Sequence, residues 1–160
     1  MPSKIIRDDS IVDDHWIVVD SDAESLPEGN LIVPQALWSS RRGELESRSP
    51  LGVWLNSDEP PQLIAEDLNR FDVIAINFPA FADGRGFSYA RELRQERGYE
   101  GELRAIGAFM RDQLYFLKRC GFNAFALDYS NLDAALESFN DFSNCYQASA
   151  DCDQPLFRRR

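Results

Sequence analysis

Four consecutive residues, Asp83-Gly84-Arg85-Gly86, carry the residue types that anion recognition needs. Glycines on both sides of an arginine let the backbone turn sharply and let a ligand come close. The guanidinium offers a bidentate fork to phosphate, sulfate or carboxylate. The structural alternative is a tight turn in which Asp83 and Arg85 satisfy backbone groups and each other. The loop matches neither G-x-G-x-x-G nor G-x-x-x-x-G-K-[ST], so it names no nucleotide. Ser88 stands where a helix N-cap stands, ahead of Tyr89 to Arg94. Arg91 and Arg94 share a helix face at i, i+3, either as an anionic pocket or docking face, or as a solvated surface. Arg104 falls inside an apolar run, where its charge needs Asp112, Asp128 or a ligand. Asp112 itself either complements a helix dipole or acts on the same rim as a base.

Other reactive side chains are sparse. The single histidine, His15, precedes the first strand and lies outside the organised segments. Cys120 sits at a helix C-terminus, where the dipole disfavours a thiolate. Together with Cys145 and Cys152 it forms no metal or disulfide pattern. The sequence assigns no catalytic residue, no metal and no cofactor.

The elements that position these residues alternate. Val73–Phe78 is an apolar run of strand length, followed by Pro79 and the glycine loop, then a helix to about Arg97 closed by Gly98. Leu51–Leu55, Leu103–Gly107 and Asn123–Leu127 read as further strands. Helical spacing covers Leu63 to Phe71, Met110 to Cys120 (Met110, Leu114, Leu117 and Phe116 inward) and a segment capped at Ser130 or Asn131 through Phe142. This is an α/β fold of repeated βα units with a mainly parallel sheet, either open and doubly wound or half-barrel-like. The loops after the strands share one rim: Asn56 to Glu59, Pro79 to Gly86, Gly107, and Asp128 to Asn131. Residues 1–160 read as one domain. Residues 1–50 are its less regular part, with strands at Trp16–Asp20 and Leu31–Val33 and a helix from Gln35 to Ser47. Residues 143–160 read as a flexible tail.

With 160 residues, 44% of them hydrophobic, the chain can build a core. Its net charge of −10 argues against nucleic-acid binding. The N-terminal residues lack the apolar core of a signal peptide, and no run is long enough to span a membrane. The expected location is the cytoplasm.

Four blocks carry a family resemblance: LGVWL at Leu51–Leu55, INFPAFADGRGFSYARELR at Ile76–Arg94, GYEGELRAIG at Gly98–Gly107, and MRDQLYFLKRCGFNAF at Met110–Phe125. In this order they resemble the bacterial domain-of-unknown-function family 934, whose members are often labelled oxidoreductases. Its signature positions map to Phe78, Pro79, Asp83, Gly84, Arg85, Gly86, Ser88, Arg94, Gly98, Gly101, Glu102, Arg104, Gly107, Asp112, Cys120 and Gly121. Asn77 stands where the family usually carries an acid, and Phe87 where tyrosine is common. Family genes typically neighbour those for the sulfite reductase hemoprotein. The resemblance therefore implies an accessory protein of assimilatory sulfite reduction, binding an oxyanion or docking on that reductase. Its ligand residues would be Asp83, Gly84, Arg85, Gly86, Ser88, Arg94, Arg104 and Asp112. The alternative is a small α/β oxidoreductase acting on an anionic substrate at the same rim.

Overall fold

The computed structural model describes residues 4–80, 83–127, 132–137 and 139. Asp128, Ser130, Asn131, Cys145, Cys152 and the expected tail at 143–160 lie outside the described residues.

An eight-stranded sheet forms the centre, in the order β2-β1-β8-β7-β6-β5-β4-β3. The parallel strands are β3 (Trp16–Val18), β4 (Asn30–Pro34), β5 (Leu51–Leu55), β6 (Val73–Phe78), β7 (Glu102–Gly107) and β8 (Ala124–Phe125). They lie side by side in chain order, so each crossover steps the same way. A doubly wound sheet reverses direction at a switch point; this one does not. The half-barrel alternative is the observed one.

The N-terminal residues curl the sheet further. A hairpin of β1 (Lys4–Arg7) and β2 (Ser10–Asp13) adds antiparallel to β8. Thus β2 and β3 stand at opposite edges, yet only Asp14 and His15 separate them. Three residue steps span at most ~11 Å, so the two edges must come together. The first 50 residues, read as less regular, supply four of the eight strands and close the curl.

Two hydrophobic clusters follow from the alternation of side chains along each strand. Ile74, Ile76 and Phe78 face outward to the helices, where they join Trp38, Leu93, Leu114 and Leu117. Val73 and Ala75 face inward, with Ile5, Ile32, Ile106, Ala124, Ala126, Trp16, Val18 and Trp54. Strands buried on both faces explain why the sequence shows continuous apolar runs rather than alternation.

The helical layer is more broken than its spacing suggests. Gln35 to Ser47 divides into α1 (Gln35–Ser40) and α2 (Arg42–Leu45), and Leu63 to Phe71 into two 3-10 turns, Pro61–Ile64 and Leu68–Arg70. Next come α3 (Arg85–Arg91), which runs into a π-helical turn at Glu92–Glu96, and α4 (Leu114–Cys120) behind a 3-10 turn at Arg111–Gln113. The last is α5 (Leu132–Glu137). Leu114 and Leu117 are buried as expected and Cys120 is buried with them, but Met110 and Phe116 are half exposed. The 3-10 turn, at three residues per turn, rotates Met110 off the stripe that an α-helix would have kept. Among the described residues no helix is long and apolar enough to cross a membrane.

Candidate functional site

The rim at the strand C-termini is built from the loops after β5 and β6. Helix α3 begins at Arg85 with Gly84 as its N-cap, four residues earlier than a cap at Ser88 would place it; Ser88 lies exposed inside the helix. The Asp83 carboxylate explains the earlier start. Its Oδ1 accepts the Arg85 backbone N–H at 3.2 Å, and the two oxygens accept Arg85 Nε at 3.1 Å and Nη2 at 2.8 Å. Arg85 Nη2 also donates to Ser57 Oγ at 2.9 Å. The Arg85 side chain, then its backbone N–H and the Ser57 hydroxyl, hold the Asp83 carboxyl well below the usual carboxylate range. Asp83 thus stays ionised and is itself the anion at this helix start.

Two glycines set the rim's shape. A Cβ on Gly86 would come within 2.7 Å of the Phe78 ring, so only glycine lets α3 lie against β6 here. Gly107, with φ +92, ends β7 in the left-handed region, and a Cβ there would sit 2.6 Å from the Phe78 carbonyl. That carbonyl accepts the Ala108 N–H at 2.6 Å, tying the ends of β6 and β7 together. Beside it Asn77 Nδ2 donates to Asn56 Oδ1 at 3.0 Å, and the Asn56 N–H donates to Glu59 Oε2 at 2.8 Å. The Tyr89 hydroxyl donates to the Ser57 carbonyl at 2.6 Å. Arg85 is thus held through its guanidinium Nε and Nη2 while 57% of its side chain remains exposed. Arg85→Ala should leave the thermal unfolding midpoint essentially unchanged, because a solvated arginine adds little to folding. A large drop in differential scanning calorimetry would make it a structural residue instead.

The remaining sequence-predicted residues lie apart from this rim. Arg94, on the π-helical turn, points to the other end of the strands. Its Nε donates to the Gly121 carbonyl and its Nη1 to those of Tyr99 and Gly101, each at 2.8 Å. It is half-buried, neither a solvated surface group nor part of the rim. Arg94→Ala strips a charged donor from three carbonyls and should cost about 2–3 kcal/mol. Arg94→Lys should recover only part of that, since one ammonium cannot span all three; urea unfolding of both variants checks this.

Arg104 is fully buried inside the curled sheet. Its partners are not Asp112 or Asp128. Its Nη1 donates to both Asp14 oxygens at 3.1 Å, and its Nη2 to Glu102 Oε2 at 3.1 Å. Its strand neighbours in register are Ala75 and Ala124, whose small side chains leave room for the guanidinium. Asp112 is exposed on the 3-10 turn before α4 and makes no ion pair among the described residues. The geometry therefore gathers Asp83, Gly84, Arg85, Gly86 and Ser88, and leaves Arg94, Arg104 and Asp112 elsewhere. Sequence reasoning placed Ser57 on the rim without giving it a contact, and missed Asn77 as a rim contact and Asp14 as the Arg104 partner. Among the described residues no three His, Cys, Asp or Glu side chains assemble as a metal would require.

This rim falls within residues 52–157, the stretch matched by the sequence model of a family described as bacterial protein of unknown function (DUF934). The chain belongs to the DUF934 family. Comparison with curated proteins finds no match. The matched region starts in β5 and contains Arg85 and Arg104, whereas β1 to β4 and Asp14 lie before it. This DUF934 protein therefore completes its buried Arg104 network with a residue from outside the family-matched segment.

Proposed function

We propose that this protein is an accessory factor of assimilatory sulfite reduction that docks on the sulfite reductase hemoprotein through the rim around Asp83 to Gly86. The observation that carries the reading is the exposed Arg85 guanidinium, fixed by Asp83 and Ser57 on a rim of rigid strand ends. Arginines held in this way are suited to become interface hot spots, because their ordering cost is met before binding. Docking fits better than capture of free sulfite. Asp83 already occupies the anion position, and Asp58, Glu59 and Asp83 outnumber Arg85 along the two loops. A small anion meets net repulsion there, whereas a protein with a basic face and an acceptor for Arg85 does not. The genomic neighbourhood implied by the family resemblance supplies the partner.

The test is biolayer interferometry between immobilised hemoprotein and this protein over a range of salt concentrations. The reading expects saturable binding that weakens as salt rises, mainly through a slower on-rate. Binding that never saturates, or that ignores salt, counts against it. If sulfite, sulfate or a nicotinamide cofactor raises the thermal midpoint while the hemoprotein does not bind, the rim is a small-molecule site instead.

A further inference from the structure

Resting on the docking reading above, we infer that the face around Arg85 continues across the end of β7 onto Met110 and Arg111. The partner protein that fits it sets an apolar side chain on Met110 and a carboxylate against each arginine.

The two halves of this face are fixed to one another. Strands β6 and β7 stay paired to their last residues, Phe78 beside Gly107. The Phe78 ring packs edge-to-face with Phe87 of α3 and with Phe109 of the loop after β7. Helices α3 and α4 also pack against each other. Arg85 opens α3 and Arg111 opens the 3-10 turn before α4, so the two arginines stand at neighbouring points of one rim. Met110 lies between Phe109 and Arg111. Its N–H donates to Gln113 Oε1 at 2.9 Å, which holds the backbone while half of the residue is exposed.

The arginines show what the face lacks. Every described lysine or arginine except Arg91 and Arg111 makes an ion pair, a hydrogen bond or a ring contact with its side chain. Arg91 is exposed in the last turn of α3, where water serves it. Arg111 is half-buried on the rim, unpaired in a chain with 27 acidic residues against 17 basic ones. Arg85 keeps Nη1 unused, since Asp83 and Ser57 engage only Nε and Nη2. A partly desolvated guanidinium is best completed by a charge-assisted bond to a carboxylate. Asp58, Glu59, Asp83 and Asp112 along the same loops repel free anions. The carboxylate must therefore arrive on a protein, brought in by its other contacts. Met and Arg are among the residues enriched at such interfaces.

The test compares binding of wild type, Arg111→Glu, Met110→Ala and Arg91→Glu to the immobilised sulfite reductase hemoprotein, each variant checked for a native melting curve. Negative charge in the first helical turn is favourable, so Arg111→Glu should fold. A partner that merely prefers an acidic protein would bind Arg111→Glu more tightly. The expected result has the opposite sign: Arg111→Glu weakens binding about tenfold or more, and Met110→Ala dissociates faster. Arg91→Glu, the same charge change away from the rim, should bind at least as well as the wild type. Unchanged or tighter binding by folded Arg111→Glu would overturn the inference and leave the docking reading standing. Unchanged dissociation of Met110→Ala would do the same, and it stays decisive if the charge change disturbs the fold. No binding by the wild type would overturn the docking reading and this inference with it.

Discussion

Arg104→Ala should destabilise the protein by about 3–5 kcal/mol, read as a lowered midpoint in guanidinium unfolding at constant slope. Arg104 lies at the centre of the curled sheet with none of its surface exposed, and the Asp14 side chain beside it is only 2% exposed. Removing the guanidinium leaves the buried Asp14 carboxylate without its cation and Glu102 with only the more distant Arg7, and that uncompensated charge is the source of the penalty. Asp14 also accepts the Trp16 N–H at 3.2 Å, at the point where β2 passes into β3. The variant should therefore loosen the closure of the sheet as well as lower its stability, seen as faster hydrogen exchange in β2 and β3. A loss below about 1 kcal/mol would mean that water already screens the network.

Gly107→Ala should cost about 3 kcal/mol and weaken the rim at the same time. The φ of +92 is strained for any residue with a Cβ, and the added carbon would press on the Phe78 carbonyl and the Asn77 side chain. Phe78 cannot retreat without breaking its bond to Ala108, and Asn77 cannot move without releasing Asn56. Gly98→Ala provides the control. Its φ is +69, but nothing lies within 4 Å of the added carbon, so strain alone should cost about 1 kcal/mol. Equal losses in the two variants, measured by urea unfolding, would show that the close approach at Gly107 contributes nothing.

How far the sequence could be read depends on the range over which each feature is decided. Val73–Phe78 was legible because a strand buried on both faces must be apolar throughout. The Asp83–Arg85 pair was legible as one of two readings, since two residues of separation place them within reach of each other. Asp14 was not legible as the partner of Arg104. Ninety residues separate them, and only the closure of the sheet brings them together. That closure depends on β2 and β3, strands of four and three residues, too short to show a period. The start of α3 was misplaced because serine is a favoured cap, yet Asp83 satisfies the Arg85 N–H and lets the helix begin sooner. Arg94 was read from its helix face, but a π-helical turn does not keep the i, i+3 spacing on which that reading rested.

The central claim is that Arg85 is a docking residue and not a structural one. Sedimentation equilibrium of the sulfite reductase hemoprotein with an excess of this protein, wild type or Arg85→Ala, tests it most directly. The account predicts a heavier complex with the wild type and none with a folded Arg85→Ala variant. No complex with the wild type, or the same complex with both, would contradict it.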